Sequence, residues 1–466
     1  MSVKLYGTLF SPPVRSVMHT LRALCIPYEF IEVNLLKSEN RSEEFLKLNP
    51  QHTVPTIQEG DGFILWESHA INGYLVDKYG KDDELYPKDL KNRAIVNQRL
   101  HFNNGILLTC SRRTIMTILR EKNVTELTEG MKIQVDSCYD FVETFLTEKQ
   151  YIAGKYITIA DFSILSALNT LNIMAPRNDE KYPLIKDYVK RSETVAGFKE
   201  LEDIGRQKVV EILKSTNFKI KYMRFTVFYL STCPLSSSAM KRKQKMSVKL
   251  YGALFSPPVR AVMHTLKALS VPYKFIEVDV RKGGTRSEEF LKINPQHTVP
   301  TIQDEDGFAI WESHAINAYL ADKYGKDDKL YPKDLKARAI VNQRLHFNNG
   351  VLLSTFRNTF LTIVLNKNIT QLTDQLKAPI ENGYSLVEAF LAGKQYIAGN
   401  DVTIADFSFL SSLNTLNIIK PQNDAKYPLI TDYVKRGETI LPEFKEVENQ
   451  GAQKITEMLK SANFEV

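Results

Sequence analysis

The sequence predicts an α/β plus all-α architecture built twice in one chain: a small α/β domain, an all-helical domain, then the same pair again. Three observations carry this. Residues 1–7, Met-Ser-Val-Lys-Leu-Tyr-Gly, return as residues 246–252, and the offset of 245 holds without a gap as far as Asp161 and Asp406. Short runs suited to strands lie before Tyr86-Pro87, and beyond it every apolar pattern has helical spacing. The period is far too long for a solenoid, so it marks a duplication of whole domains.

Within one copy, residues 3–8 alternate like a strand. Ser11-Pro12-Pro13 opens a helix, because proline suits the first helical turn and Val14, Val17, Met18, Leu21 and Leu24 recur at helical spacing. Pro27 ends it. Residues 28–33, rich in β-branched and aromatic side chains, form a second strand. Residues 42–48 form a short helix closed by Asn49-Pro50, and 53–58 a third strand. Asp61-Gly62 is a tight hairpin turn into a fourth strand at 63–66. A helix then runs from Glu67 to about Tyr79. The order βαβαββα is that of the thioredoxin-like fold. Helices follow at 93–119, 125–145, 159–171, 183–192 and 198–213. The expected domains are 1–80 (thioredoxin-like) and 87–219 (helical), a linker at 220–245, then 246–325 (thioredoxin-like) and 332–466 (helical).

Hydrophobic content of 43% and charged content of 25% are ordinary for a globular protein. No apolar run approaches the roughly 20 residues of a membrane span. The N-terminus lacks the charged and apolar regions of a signal peptide. A cytoplasmic protein with no membrane partner is expected. The net charge of +7 is concentrated between the copies, in Lys221, Arg224, Lys241, Arg242, Lys243 and Lys245. The repeated units are near neutral, so no nucleic acid partner is expected. That linker is compatible with a flexible tether, a basic anchor, or two joined genes that kept the Met246 start. The four cysteines have no metal or disulfide spacing. Cys25, Cys110 and Cys138 become Ser270, Thr355 and Gly383, and Cys233 lies in the linker. Neither a metal site nor a shared cysteine nucleophile is expected.

Three motifs occur in order in each copy: Ser11-Pro12-Pro13-Val14-Arg15, Asn49-Pro50-Gln51-His52-Thr53-Val54-Pro55-Thr56, and Glu67-Ser68-His69-Ala70-Ile71. Together they resemble the glutathione-site signature of insect delta and epsilon class cytosolic glutathione S-transferases. Thr158-Ile159-Ala160-Asp161 resembles the capping motif of that family's helical domain. The resemblance covers nearly all of both copies and leaves out only the linker. It implies conjugation of glutathione, the co-substrate, to small apolar electrophiles in detoxification, with glutathione-dependent peroxide reduction as a second outlet. It also implies dimers, so the copies pair either within the chain as a pseudo-dimer or between chains as a homo-oligomer.

Ser11 has a physical case of its own, at the junction of a strand and a helix N-terminus. Lowering a thiol pKa by about two units requires roughly 2.7 kcal/mol. A hydrogen bond to a charged group contributes about 1.5–3 kcal/mol, and a helix N-terminus, with its dipole and free amides, up to about 2 kcal/mol. No general base is then needed. The plain alternative is that Ser11 only caps its helix. Ser256 is its match.

The resemblance extends to other positions. Val54-Pro55 and Val299-Pro300 match the cis-proline turn whose preceding backbone pairs with the cysteinyl group. Glu67 and Ser68, like Glu312 and Ser313, would hold the γ-glutamyl ammonium and carboxylate. His52 and His297 would meet the glycyl carboxylate, and His69 and His314 align with a further ligand position. Leu108, Arg112 and Met116, with Leu353, Arg357 and Leu361, would line the electrophile pocket. There the copies diverge: Ser111, Arg113 and Met116 become Phe356, Asn358 and Leu361. Distinct electrophile preferences follow, or else drift on a packing helix. Thr158 with Asp161, and Thr403 with Asp406, serve folding through a capping box. His19, His101, His264 and His346 belong to no motif and are expected to pack or face solvent. A non-catalytic binder of glutathione or apolar ligands is the competing function.

Overall fold

The computed structural model describes residues 3–121, 123–220, 247–366 and 368–465. The expectations for the linker fall on residues 221–245, outside the described residues. In the first unit β1 (Val3–Gly7) pairs in parallel with β2 (Tyr28–Glu32) and antiparallel with β3 (Thr56–Gln58), which pairs with β4 (Ile64–Trp66). Val3 and Leu5 are buried while Lys4 and Tyr6 are only half-buried, the alternation a one-sided sheet requires. The third strand begins at Thr56, later than the pattern predicted, because Pro55 has no N–H to place in the ladder. Helices α1 (Pro12–Ala23), α2 (Glu43–Leu48) and α3 (Ser68–Tyr79) complete this domain. The second unit has the same four-strand order.

The helical domain comprises α4 (Leu90–Phe102), α5 (Leu108–Arg120), α6 (Glu129–Leu146), α7 (Ile159–Met174), α8 (Pro183–Ser192) and α9 (Phe198–Lys214). Helix α7 is buried almost all round. Its start is fixed by the predicted capping box. The Asp161 carboxylate accepts from the Thr158 N–H at 2.7 Å, the Thr158 hydroxyl at 2.8 Å and the Tyr188 hydroxyl at 2.8 Å. Thr403 and Asp406 repeat this.

One buried cluster bolts α1 to the helical domain. Arg15, 1% exposed, donates to Glu202 at 3.1 Å, to the Leu9 carbonyl at 2.8 Å and to Thr170 at 2.7 Å. His19 and Ser166 also bond Glu202, at 3.0 and 2.7 Å. The Arg15 charge and these bonds hold the Glu202 carboxyl well below its usual range despite burial. A Cβ on Gly205 would stand 2.5 Å from Arg15, so the guanidinium fits only over glycine. Arg260, His264, Glu448 and Gly451 reproduce the cluster. His19 and His264 thus pack, as expected.

The two units pack against each other within the chain. Helix α3 meets the helix Leu335–Phe347, and α4 meets Ser313–Tyr324. The pattern predicted one helix over 93–119. The structure interrupts it with a π-helical turn, Asn103–Leu107, matched by Asn348–Leu353. These turns touch. Asn104 Nδ2 donates to the His346 carbonyl at 2.7 Å, and Asn349 Nδ2 to the His101 carbonyl at 2.9 Å. A Cβ on Gly105 would lie 2.8 Å from Asn349 Oδ1, so the turn needs glycine there. Beside them runs a ring stack, with His69 and His346 4.8 Å apart, His346 and His101 4.1 Å, and His101 and His314 4.9 Å. Burial holds all four imidazoles below their usual pKa, His69 at about 3 and His314 at about 4.

Among the described residues no helix is long and apolar enough to cross a membrane, and no group of three or more His, Cys, Asp or Glu is placed to hold a metal. Cys25, Cys110 and Cys138 are free thiols.

Candidate functional site

The sheet brings the three motifs to one edge. Strand β1 runs into the Thr8–Ser11 loop, closed by a Ser11 N–H to Thr8 carbonyl bond at 3.0 Å. Strand β3 pairs Thr56 with Tyr6 of β1 and with Trp66 of β4. Val54-Pro55 therefore lies between the end of β1 and the start of α3. The Val54-Pro55 and Val299-Pro300 bonds are both cis.

Ser11 is the N-cap residue of α1 in extended conformation, yet its hydroxyl makes no capping bond, and Ser256 is the same. Capping is therefore not its role. The expected free amides are also missing. Pro12 and Pro13 have no N–H, and the Val14 and Arg15 N–H groups both bond the Ser11 carbonyl, at 3.1 and 3.2 Å. The first turn of α1 therefore offers an anion the Ser11 hydroxyl and the helix dipole, and no free amide. Ser11 and Ser256 are 8% and 9% exposed. Arg15, through its bond to the Leu9 carbonyl, fixes the loop that carries Ser11.

Glu67 stands at the N-terminus of α3 with φ of +68°, an unfavourable region for a side-chain-bearing residue. Its carboxylate accepts from Gln51 Nε2 at 2.6 Å. Burial pushes the carboxyl up, opposed by Gln51 and by the charges of Arg112 and of Arg344 from the second unit. Glu312 repeats this with Gln296, Arg357 and Arg99. Arg112 and Arg357, predicted for the electrophile pocket, thus lie near the carboxylates of Glu67 and Glu312. Ser68 is buried in the first turn of α3, and Ser313 likewise in its copy.

His52, at φ of +48°, is tied through its carbonyl to Asn40 Nδ2 at 2.7 Å. Burial and then the charge of Arg41 lower its pKa, and Arg286 does the same to His297. Arg41 was missed by sequence reasoning, although it opens the stretch 41–58 that differs between copies only at Leu48. His69 and His314 are corrections. Each is about fully buried in the stack between the units, bonded to Asn103 and Asn348 at 3.0 Å, and so is turned away from the edge where a ligand would lie. Of the other pocket candidates, Leu108 and Met116 are half-buried, Leu353 is buried, and Leu361 is exposed. Next to Ser256, Phe255 packs on an aromatic pair of the second unit's core that sequence reasoning did not assemble. Phe255 stacks on Phe360 with centroids 6.4 Å apart, and Phe360 lies 5.3 Å from Phe356. In the first unit these positions are Phe10, Ile115 and Ser111.

Comparison with known proteins gives one result. The model described as glutathione S-transferase, N-terminal domain, matches residues 1–77 and again 246–322. Two models of the glutathione S-transferase C-terminal domain match 112–200 and 353–439. Glutathione S-transferase 1 of Manduca sexta is 41% identical over 217 residues, 99% of that protein and 46% of this chain. Among solved structures, an epsilon-class glutathione S-transferase of the housefly Musca domestica is 43% identical, covering 47% of this chain and 100% of its own, with a TM-score of 0.45. A glutathione transferase homologue of Drosophila mojavensis, solved with bound glutathione, is 43% identical over 47% of this chain and 99% of its own, with a TM-score of 0.44. The chain is about twice the length of these relatives, as a tandem duplication requires.

Proposed function

Because this chain belongs to the glutathione S-transferase family, we propose that each of its two units ionises glutathione with a serine hydroxyl and conjugates the thiolate to small apolar electrophiles. The observation that supports this best is the hydroxyl of Ser11, and of Ser256, left free of any capping bond at a helix N-terminus without amide donors. A hydroxyl bond to the thiolate contributes about 1.5–3 kcal/mol, and the thiolate is the nucleophilic form. Holding both reactants together lowers the barrier further.

The other roles follow from position. The Val54 and Val299 backbones, before the cis-prolines, pair with the cysteinyl group. Glu67 and Glu312 take the ammonium, and Ser68 and Ser313 the γ-glutamyl carboxylate at a helix N-terminus, where negative charge is favoured. His52 with Arg41, and His297 with Arg286, face the glycyl carboxylate. Leu108, Met116, Leu353 and the Phe255–Phe360–Phe356 wall border the electrophile. Detoxification in the cytoplasm is the setting, peroxide reduction is a second use of the same thiolate, and the two units act as a pseudo-dimer within one chain.

The test is conjugation of glutathione to a chloronitrobenzene by the full chain and by Ser11→Ala, Ser256→Ala and the double variant. Each single change should remove its own unit's share, and the double change should lower turnover about ten- to hundredfold, the loss of one charged hydrogen bond per site. A chain that binds glutathione without turnover is a binding protein and overturns the reading.

A further inference from the structure

The carboxylate of Glu67 is aimed by a chain of contacts that starts in the other unit. Gln51 Nε2 donates to Glu67 at 2.6 Å. The opposite rotation of that amide would present its oxygen to the carboxylate and repel it. What selects the rotation is the indole of Trp66. An indole N–H can only donate, and it donates to Gln51 Oε1 at 3.0 Å. The amide NH2 is thereby turned to Glu67. The indole is itself placed by the second unit. Trp66, 8% exposed, belongs to that unit's hydrophobic core, with its ring centroid 6.3 Å from Phe390. The Arg344 guanidinium lies 3.8 Å from the Phe390 centroid and 5.6 Å from that of Trp66. The reciprocal set is complete. Gln296 donates to Glu312 at 2.6 Å, and Trp311 donates to Gln296 at 2.9 Å. Trp311 belongs to the first unit's core, 6.3 Å from Phe145 and 5.6 Å from Arg99.

We propose that Gln51 with Trp66, and Gln296 with Trp311, are positioning residues for the ammonium group of glutathione, and that each unit's ammonium site is set only when the other unit's helical core seats the tryptophan. This rests on the ammonium-binding role of Glu67 and Glu312 proposed above. Trp66 touches no reacting atom and acts through Gln51.

The experiment uses the full chain in the Ser256→Ala background, which leaves the first site to be read. Trp66→Phe keeps a ring in the core and removes the N–H. The KM for glutathione should rise about five- to tenfold, as loss of one oriented hydrogen bond implies, with kcat and the electrophile KM unchanged. Glutaryl-cysteinylglycine, which lacks only the ammonium, should be a poor substitute for glutathione in the parent and nearly equal to it in Trp66→Phe. Gln51→Met should reproduce both effects, and adding Trp66→Phe to it should change nothing more, because the two act in series. Phe390→Leu, in the second unit, should raise the first site's glutathione KM in the same direction. An unchanged glutathione KM in Trp66→Phe, or additive effects of the Gln51 and Trp66 changes, would overturn the inference. If Ser256→Ala stays fully active the serine assignment fails instead, and Trp66→Phe with Trp311→Phe in the otherwise native chain reads both ammonium sites at once.

Discussion

The edge of the first unit proposed to hold glutathione and the helical wall beneath it have diverged to opposite degrees between the two copies. Residues 41–58 and 85–105 each differ from their counterparts at one position, Leu48 and Asn92. The first stretch carries His52, Val54-Pro55 and Gln51. The second carries Arg99, His101 and the turn that meets the other unit. Helix α5 and its counterpart Ser354–Leu365 differ at most positions, and the side chains flanking the serine change from Phe10, Ile115 and Ser111 to Phe255, Phe360 and Phe356. On the proposed function, groups that meet one fixed molecule, or each other, have little room to vary. A wall proposed to border varied apolar molecules has much more. The units also differ where they cross: Phe141 of the first unit lies 5.4 Å from the His297 ring, while Leu386 holds the equivalent position in the second.

The sharpest way to break this comparison is at a feature both units share. Glu202→Ala and Glu448→Ala each leave a buried arginine without its partner and should cost about 3–5 kcal/mol of stability. Chemical denaturation should show equal losses for the two, and unequal losses would mean that the units are not mechanically equivalent.

The histidine stack comes next. Its folded pKa values lie below the unfolded value of 6.5, so the unfolded chain binds more protons between them. Stability is then complete above about pH 6.5 and falls as the pH drops toward 4. From pH 7 to pH 5 each imidazole that gains a proton on unfolding should cost about 2 kcal/mol, so the stack of four should cost several times that. Denaturation midpoints at the two pH values measure it. His101→Phe with His346→Phe should flatten the slope without abolishing it, because His69 and His314 remain in the stack and His19 and His264 are also depressed.

The aromatic wall sharpens the contrast. Phe356→Ser with Phe360→Ile, read in the Ser11→Ala background, should lower kcat/KM for aromatic electrophiles about tenfold relative to aliphatic ones. The second unit's ranking should approach the first's. The smallest effect belongs to Arg113, which donates to its counterpart Asn358 at 2.9 Å on the exposed seam between units. Arg113→Ala should lower the unfolding free energy from chemical denaturation by less than about 0.5 kcal/mol.

Much of this was legible in the sequence because it is local. Proline after Ser11, the Asp61-Gly62 turn and the Thr158–Asp161 box act within a few residues, and the repeat marked two units. What was hidden depends on the second unit. The pattern over 93–119 reads as one helix because Asn103-Asn104-Gly105 breaks no periodicity. The π-helical turn lies where the Asn349 side chain of the other unit presses on Gly105. His69 follows the motif of α3 in sequence, yet its ring is captured by His346. Arg112 was expected to line the electrophile pocket, but its charge is felt at Glu67. The amides expected beside Ser11 were countermanded by the Pro12-Pro13 pair itself, which was visible all along.

Trp66 and Trp311 are the chain's only two tryptophans, and each is sunk in the core of the unit it does not belong to. The whole indole emission of the protein therefore originates at the seam. Parting the units, even with both still folded, would move both fluorophores from apolar surroundings into water and shift the emission to the red. Melting one helical domain would expose the indole of the opposite unit's α/β domain. The chain carries a built-in optical gauge of its own pairing, readable without any label.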